Sequence, residues 1–217
     1  MSEASDATSI RADWPQPVVS LFPLPEFFFF PGTVMPLRIF EPRYRQMVED
    51  LLDRSGRLVL GAIVPGHESE AMGAPPVHPV AGLGEIVKHE RLPNGHYVIF
   101  VIGLQRVRLN EVESDRLYRK VGIEPLVETA VPPELADELR ERLSAAVRAR
   151  ASGVPLPPDM PLSQLVDLLL LHVRLDAATK IELFSRLDVL ARAQGALEQH
   201  ARLAPPRLPP DAPTAPP

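Results

Sequence analysis

The chain has no cysteine. Disulfides, thiol nucleophiles and thiolate metal sites are therefore excluded. It also lacks any apolar run of about 18 residues, the length that a membrane-spanning helix needs. Residues Met1 to Asp13 are polar, include Glu3 and Asp6, and contain no apolar core of the kind found in a secretory leader. A cytoplasmic protein is the expectation. Positive charge is not in excess: 23 Lys and Arg stand against 28 Asp and Glu, a formal net charge of −5. Nucleic-acid binding usually needs a basic face, so it is not expected here. There is no Gly-x-x-x-x-Gly-Lys-[Ser/Thr] phosphate loop. No serine sits on a Gly-x-Ser-x-Gly elbow, and Ser144 and Ser163 fall within helical patterns. The reading is a non-enzyme without a cofactor.

What the chain does contain is ordinary in bulk. Its 217 residues suffice for one large domain or two small ones, and 45% of them are hydrophobic, as in soluble globular proteins. The 26 prolines gather in tails and linkers. Residues 1–16 and 204–217 are read as disordered tails around a β-rich part, 17–130, and a helical part, 131–203.

One stretch organises the rest. Residues 21–44 hold six of the eight phenylalanines and read strand, turn, strand, helix: a Pro31-Gly32 turn, an apolar run into Phe40, and a helix behind Pro42. Tyr44, Met47, Val48, Leu51 and Leu52 fall on one helical face. Glu41 and Arg45, four apart, are placed to pair across the first turn. Strands are expected at Val18 to Leu24, Leu58 to Val64, Val80 to Arg91, His96 to Ile102 and Tyr118 to Ile123. Gly82 and Gly84 inside a strand signal a bulge, a bend or a close backbone approach. Asn94-Gly95 signals a hairpin turn, and Gly103 a break. Val107 and Leu109 alternate with Arg106 and Arg108, a half-buried pattern. Helices are expected at Glu134 to Arg148, with Leu135, Leu139, Leu143, Ala146 and Val147 inward, and at Pro161 to Val173. A last helix is expected behind Asp176, with Ile181, Phe184, Leu187, Val189 and Leu190 inward.

Leu21, Pro23, Leu24, Phe30-Pro31-Gly32, Pro36-Leu37, Ile39-Phe40-Glu41 and Arg43-Tyr44 resemble the opening of the Lon N-terminal domain, the substrate-recognition domain of Lon proteases. Gly82, Gly95, Gly103 and Arg106 resemble that domain's second block. Leu183, Leu187 and Arg192 resemble its final helix more loosely. The resemblance implies an α+β fold: a small, bent, barrel-like (PUA-like pseudo-barrel) sheet with one inserted helix, then a C-terminal α-helical bundle. It implies structural roles for Pro31, Gly32, Phe40, Glu41, Arg43, Tyr44, Gly82, Gly95, Gly103 and Arg106. The ATPase and Ser–Lys protease modules of full-length Lon have no counterpart motif here. The three lysines, Lys88, Lys120 and Lys180, stand in no such setting.

Two readings of function follow. The first, implied by the resemblance, is a non-catalytic module that binds unfolded or apolar protein segments, with a role in protein quality control. Its further candidate partners are a protease, a chaperone or a second copy of the chain. The binding residues expected are Phe27, Phe28, Phe29, Met35 and Pro36. If Phe27 to Phe30 is a strand, alternate rings point to opposite faces, and an uncovered pair would be a binding patch. The plainer expectation for the same run is that a second layer of the chain covers it. The alternative function is a small-molecule or RNA-binding pseudo-barrel. His67, His78, His89 and His96 lie near Glu85 and Glu90, but their spacing names no third ligand, so surface histidines are expected rather than a metal. Arg106 and Arg108 are expected on a solvated strand face.

Overall fold

Alternating apolar residues build the first unit. The computed structural model describes residues 17–151 and 153–203, and both expected tails lie outside the described residues. Six strands form: β1 (Val18–Pro25), β2 (Val34–Ile39), β3 (Arg57–Ile63), β4 (Val80–Arg91), β5 (Tyr97–Val112) and β6 (Arg119–Pro125). Helix α1 (Pro42–Leu52) separates β2 from β3. The sheet order is β2-β5-β4-β3-β1-β6, and β6 also pairs with β5. Five strands therefore hydrogen-bond in a ring, and β2 lies outside it as an edge. This is the part of the barrel-like expectation that the pairing bears out. Only β1 and β3 run parallel, which is why a helical crossover joins their region.

Each strand buries alternate residues on opposite faces. Leu21, Val59, Ala81, Leu83, Val107, Val121 and Ile123 form one core. Phe22, Leu58, Leu60, Ile99 and Val101 belong to the other, with Tyr44, Met47, Val48 and Leu51 of α1. The apolar face read from the sequence of α1 is thus the face it buries.

Several local expectations change. Gly103 does not end a strand: β5 continues through it to Val112, with a register shift beside Gly84. Leu104 is the extra residue there, since Leu83 pairs with Gln105 and Gly84 with Gly103. Arg106, expected on a solvated face, is 1% exposed, because both faces of the sheet are covered at that point of β5. Arg108 is exposed, beside Glu124 at 3.7 Å. Glu41 pairs with Arg43 at 3.0 Å instead of Arg45. The Arg43 guanidinium also donates to the carbonyls of Ala71 and Gly73, at 2.6 and 2.9 Å, and lies over the Tyr44 ring. The Glu41-x-Arg43-Tyr44 motif therefore clasps the loop between β3 and β4. Arg119 holds the same loop through the Pro75 carbonyl, at 2.6 Å.

The second unit comprises Phe30–Gly32 and the described residues after Pro125. It contains α2 (Pro133–Arg150), α3 (Leu162–His172), α4 (Ala177–Ser185) and α5 (Val189–Arg202). Helices α2, α3 and α5 contact one another, and α4 contacts α5. Leu139, Leu143, Ala146 and Val147 are buried as expected, but Leu135 is 39% exposed. The single last helix expected behind Asp176 is two helices. Asp188 makes a second N-cap, its carboxylate accepting from the Ala191 N–H at 2.9 Å, and the chain is extended between the two helices. The Phe30 ring meets Phe184 edge-on, at 5.2 Å between centroids.

All three tyrosines, Tyr44, Tyr97 and Tyr118, are buried. Burial raises each phenol above its ordinary value, and Tyr44 is pushed up to about 12. Tyr97 and Tyr118 also donate to Glu49 and Asp50, at 3.2 and 2.8 Å, which favours the neutral form. A raised folded pKa leaves this stabilisation complete below about pH 10 and removes it as the pH climbs through the folded values. Alkaline titration is expected to show tyrosinate absorbance lagging well above the value found in denaturant, with unfolding setting in above about pH 10. Tyrosines titrating alike with and without denaturant would contradict this.

Candidate functional site

The free edge of β2 follows from register. The Gly103 N–H donates to the Thr33 carbonyl at 2.8 Å. Met35 pairs with Val101, Leu37 with Ile99 and Ile39 with Tyr97. These odd-numbered residues aim their backbone groups at β5, so Val34, Pro36 and Arg38 aim theirs outward. Proline fits this position because its missing N–H takes nothing from the β2–β5 ladder. The edge offers N–H groups at Val34 and Arg38 and carbonyls at all three residues. Among the described residues, no further strand pairs with it.

Side chains show the same parity. Met35 and Leu37 pack against the core that α1 covers, while Val34, Pro36 and Arg38 are exposed. The pairings set out three rows across the outer face: Val34–Ile102–Glu85, Pro36–Phe100–Lys88 and Arg38–Val98–Glu90. Val98, Phe100 and Ile102 are only half-buried, and Val34 is 53% exposed. The Lys88 ammonium lies 5.6 Å from the centre of the Phe100 ring, so one side of that ring is shared with a cation. A second register shift, between Ile86 and Lys88, leaves Val87 as the extra residue, 55% exposed. The result is an apolar patch with charged borders beside an open strand edge.

Residues 27–30 are not a strand. Glu26 adopts a positive φ of 51°, the chain turns, and alternation no longer applies. Phe28 and Phe29 are buried at 7% and 1% exposed, so these two expected contact residues lie inside the fold. Phe29 reaches the core because β4 carries glycine at 82 and 84, where a Cβ would meet Phe29. Phe27 is half-buried, its ring stacked 6.1 Å from Phe29. Of the five residues expected to bind, Met35 and Pro36 are on β2. The expectation missed Val34, Arg38, Val98, Phe100 and Ile102. The signal for the last three is in the sequence: Tyr97 to Ile102 is apolar at every position, so both faces of that strand are apolar.

The histidines do not converge. His67 contacts Glu70 at 2.8 Å, and His96 contacts Asn94 at 3.2 Å. His89 pairs with Ile99 across the hairpin. Burial holds His78 below the usual imidazole range. No group of three metal-ligating side chains occurs among the described residues. Ser144 and Ser163 lie on α2 and α3. A polar cleft of about 240 Å³ in the first unit is lined by Ser20, Asp50, Arg54, Arg57, Tyr118 and Lys120. Its carboxylate is taken, since Asp50 accepts from Tyr118 at 2.8 Å and pairs with Arg116 at 3.1 Å. No described helix is long and apolar enough to cross a membrane.

Residues 18–199 match the family described as the ATP-dependent protease La (LON) substrate-binding domain. A Lon protease of Dictyoglomus thermophilum is 25% identical over 186 residues, which is 82% of this chain and 23% of that protein. Lon protease 2 of Sorangium cellulosum is 31% identical over 147 residues, 66% of this chain and 17% of that protein. The chain thus spans less than a quarter of these relatives' length. The N-terminal domain of a Mycobacterium avium complex Lon protease superposes with a TM-score of 0.65 at 18% identity, over 86% of this chain and 99% of that one. A Lon N-terminal domain protein from Xanthomonas campestris gives a TM-score of 0.61 at 19% identity, over 84% and 98%. At these identities the superpositions speak for the fold.

Proposed function

The chain belongs to the substrate-binding domain family of ATP-dependent protease La, Lon, and from that premise we propose that it captures apolar, extended polypeptide segments for protein quality control. The observation that carries this reading is the open edge of β2 beside the apolar outer face of Val34, Pro36, Val98, Phe100 and Ile102. An exposed edge supplies main-chain hydrogen bonds to an extended segment, and the adjoining patch selects its side chains. Of the expected contact set, Pro36 lies on this outer face; Met35 is on β2 too but turns its side chain to the core, and half-buried Phe27 precedes the strand. Buried Phe28 and Phe29 support the fold instead.

On this reading the ring of strands is a PUA-like pseudo-barrel and α2–α5 a helical bundle. Ring closure through β5 and β6, and the mutual contact of α2, α3 and α5, support it. Delivery of the captured segment to a protease or chaperone is part of the proposal, as is pairing of two copies. The module itself breaks no bond.

The test is fluorescence anisotropy with labelled, unfolded casein. Binding in the micromolar range is expected. Phe100→Ser combined with Val34→Ser is expected to weaken it about tenfold, the loss of roughly 1.4 kcal/mol of apolar contact. A melting temperature close to that of the parent shows that the fold is kept. No binding at about 100 μM, well above the micromolar constants of ordinary capture, would remove the reading. The second reading, a small-ligand module, rests on the polar cleft, where Arg57 and Lys120 already pair with Glu85 and Asp115, so Arg54 is the cation through which it would take a small anion.

A further inference from the structure

We propose that the captured segment adds as an antiparallel strand to the free edge of β2 and carries an acidic side chain opposite Arg38, followed by apolar ones opposite Pro36 and Val34. This inference rests on the capture reading above and names which segments the edge prefers.

The edge exposes backbone groups at every second residue: Val34, Pro36 and Arg38. An added antiparallel strand exchanges two hydrogen bonds with Val34, two with Arg38 and one with Pro36, which has no N–H. Directly opposed residues of an antiparallel pair place their side chains on the same face. Every second side chain of the incoming segment therefore lands on the outer face.

Two of those three positions are apolar surroundings. Opposite Val34 the neighbour beyond is Ile102, and opposite Pro36 it is Phe100. The third is cationic. Arg38 is exposed, and no carboxylate among the described residues pairs with it. Glu90 shares its row but lies two strands away, roughly 10 Å at the usual strand spacing. A carboxylate arriving opposite Arg38 completes the row, and a lysine or arginine there meets a like charge. Because the incoming strand runs opposite to β2, the acidic residue comes first: acidic–x–apolar–x–apolar. Antiparallel pairing is also slightly more stable per residue than parallel pairing.

The experiment uses the full chain and three labelled peptides, read by fluorescence anisotropy. One has the acidic–x–apolar–x–apolar order, the second has lysine in place of the acid, and the third is the first reversed. The first is expected to bind about three- to fivefold tighter than the second, the effect of one exposed ion pair. In the Arg38→Glu variant that order is expected to invert. The inference is overturned if the first two peptides bind equally, if Arg38→Glu leaves the preference unchanged, or if the reversed peptide binds best. Should that happen while casein binding still falls in the Phe100→Ser, Val34→Ser variant, the capture reading survives without it. If neither peptides nor casein bind, both are lost.

Discussion

Replacing Arg192 by alanine is expected to destabilise the helical unit by about 3–5 kcal/mol, the range for breaking a buried ion pair from one side. Arg192 on α5 is fully buried. Its guanidinium reaches Glu128 at 2.6 Å and Asp167 of α3 at 3.3 Å, and donates to the Arg186 carbonyl at 2.7 Å. Removing it takes a counter-charge from the buried carboxylate of Asp167, while Glu128 sits nearer solvent. Lysine is not expected to restore the arrangement, because a compact ammonium on a flexible stem replaces a planar guanidinium that reaches two carboxylates and a carbonyl at once. Arg192→Met combined with Asp167→Leu is expected to recover most of the loss, since both charges then leave the interior together. Because the chain clusters into two units, the measurement should report on this one: hydrogen exchange of α3 and α5 amides with and without urea. Protection in Arg192→Ala within about 0.5 kcal/mol of the parent, the spread of ordinary surface changes, would show that the ion pairs carry no net stability.

Gly82→Ala is expected to destabilise the sheet by about 3 kcal/mol or more. A Cβ at that position would lie 2.2 Å from the Phe29 carbonyl oxygen and 2.7 Å from the Phe29 Cβ. The obstructing atoms are mostly backbone, so no rotamer change relieves them. The chain must lift Phe29 off β4, and its ring then leaves its core. Urea unfolding followed by near-ultraviolet circular dichroism measures this directly. The variant should unfold at lower urea than the parent and bind an apolar dye before the main transition. Val87→Ala, on the exposed bulge of the same strand, is the control and should stay within about 0.5 kcal/mol. Equal stability of Gly82→Ala and the control would mean that the Phe29 segment has room to move.

These two sites differ in how far they could be read in advance. Gly82 is legible: glycine inside a strand has few reasons to be there, and close backbone approach is one of them. What approaches was not legible, because Phe29 is over fifty positions away in the chain. Arg192 could be matched to a family position, yet nothing in the periodicity of α5 says that a guanidinium points inward, since period alone marks apolar faces. The same holds for Arg106, where charge suggested solvent and a two-sided covering of β5 decided otherwise.

The amino-acid order by itself determined most of the strands and helices, though not the bounds of β5 or the break between α4 and α5, and that no cysteine, phosphate-loop or serine-elbow chemistry is available. Those properties are local: they depend on spacings of two and three to four residues, on turn residues and on residue type. The tertiary structure alone decided that the phenylalanine run closes inward, and that the outer rows of β2 and β5 are the apolar surface left open. A strand pattern assigns side chains to two faces but says nothing about which face meets another layer. That depends on contacts between residues far apart in the chain, such as Phe29 under Gly82 and Pro36 beside Phe100.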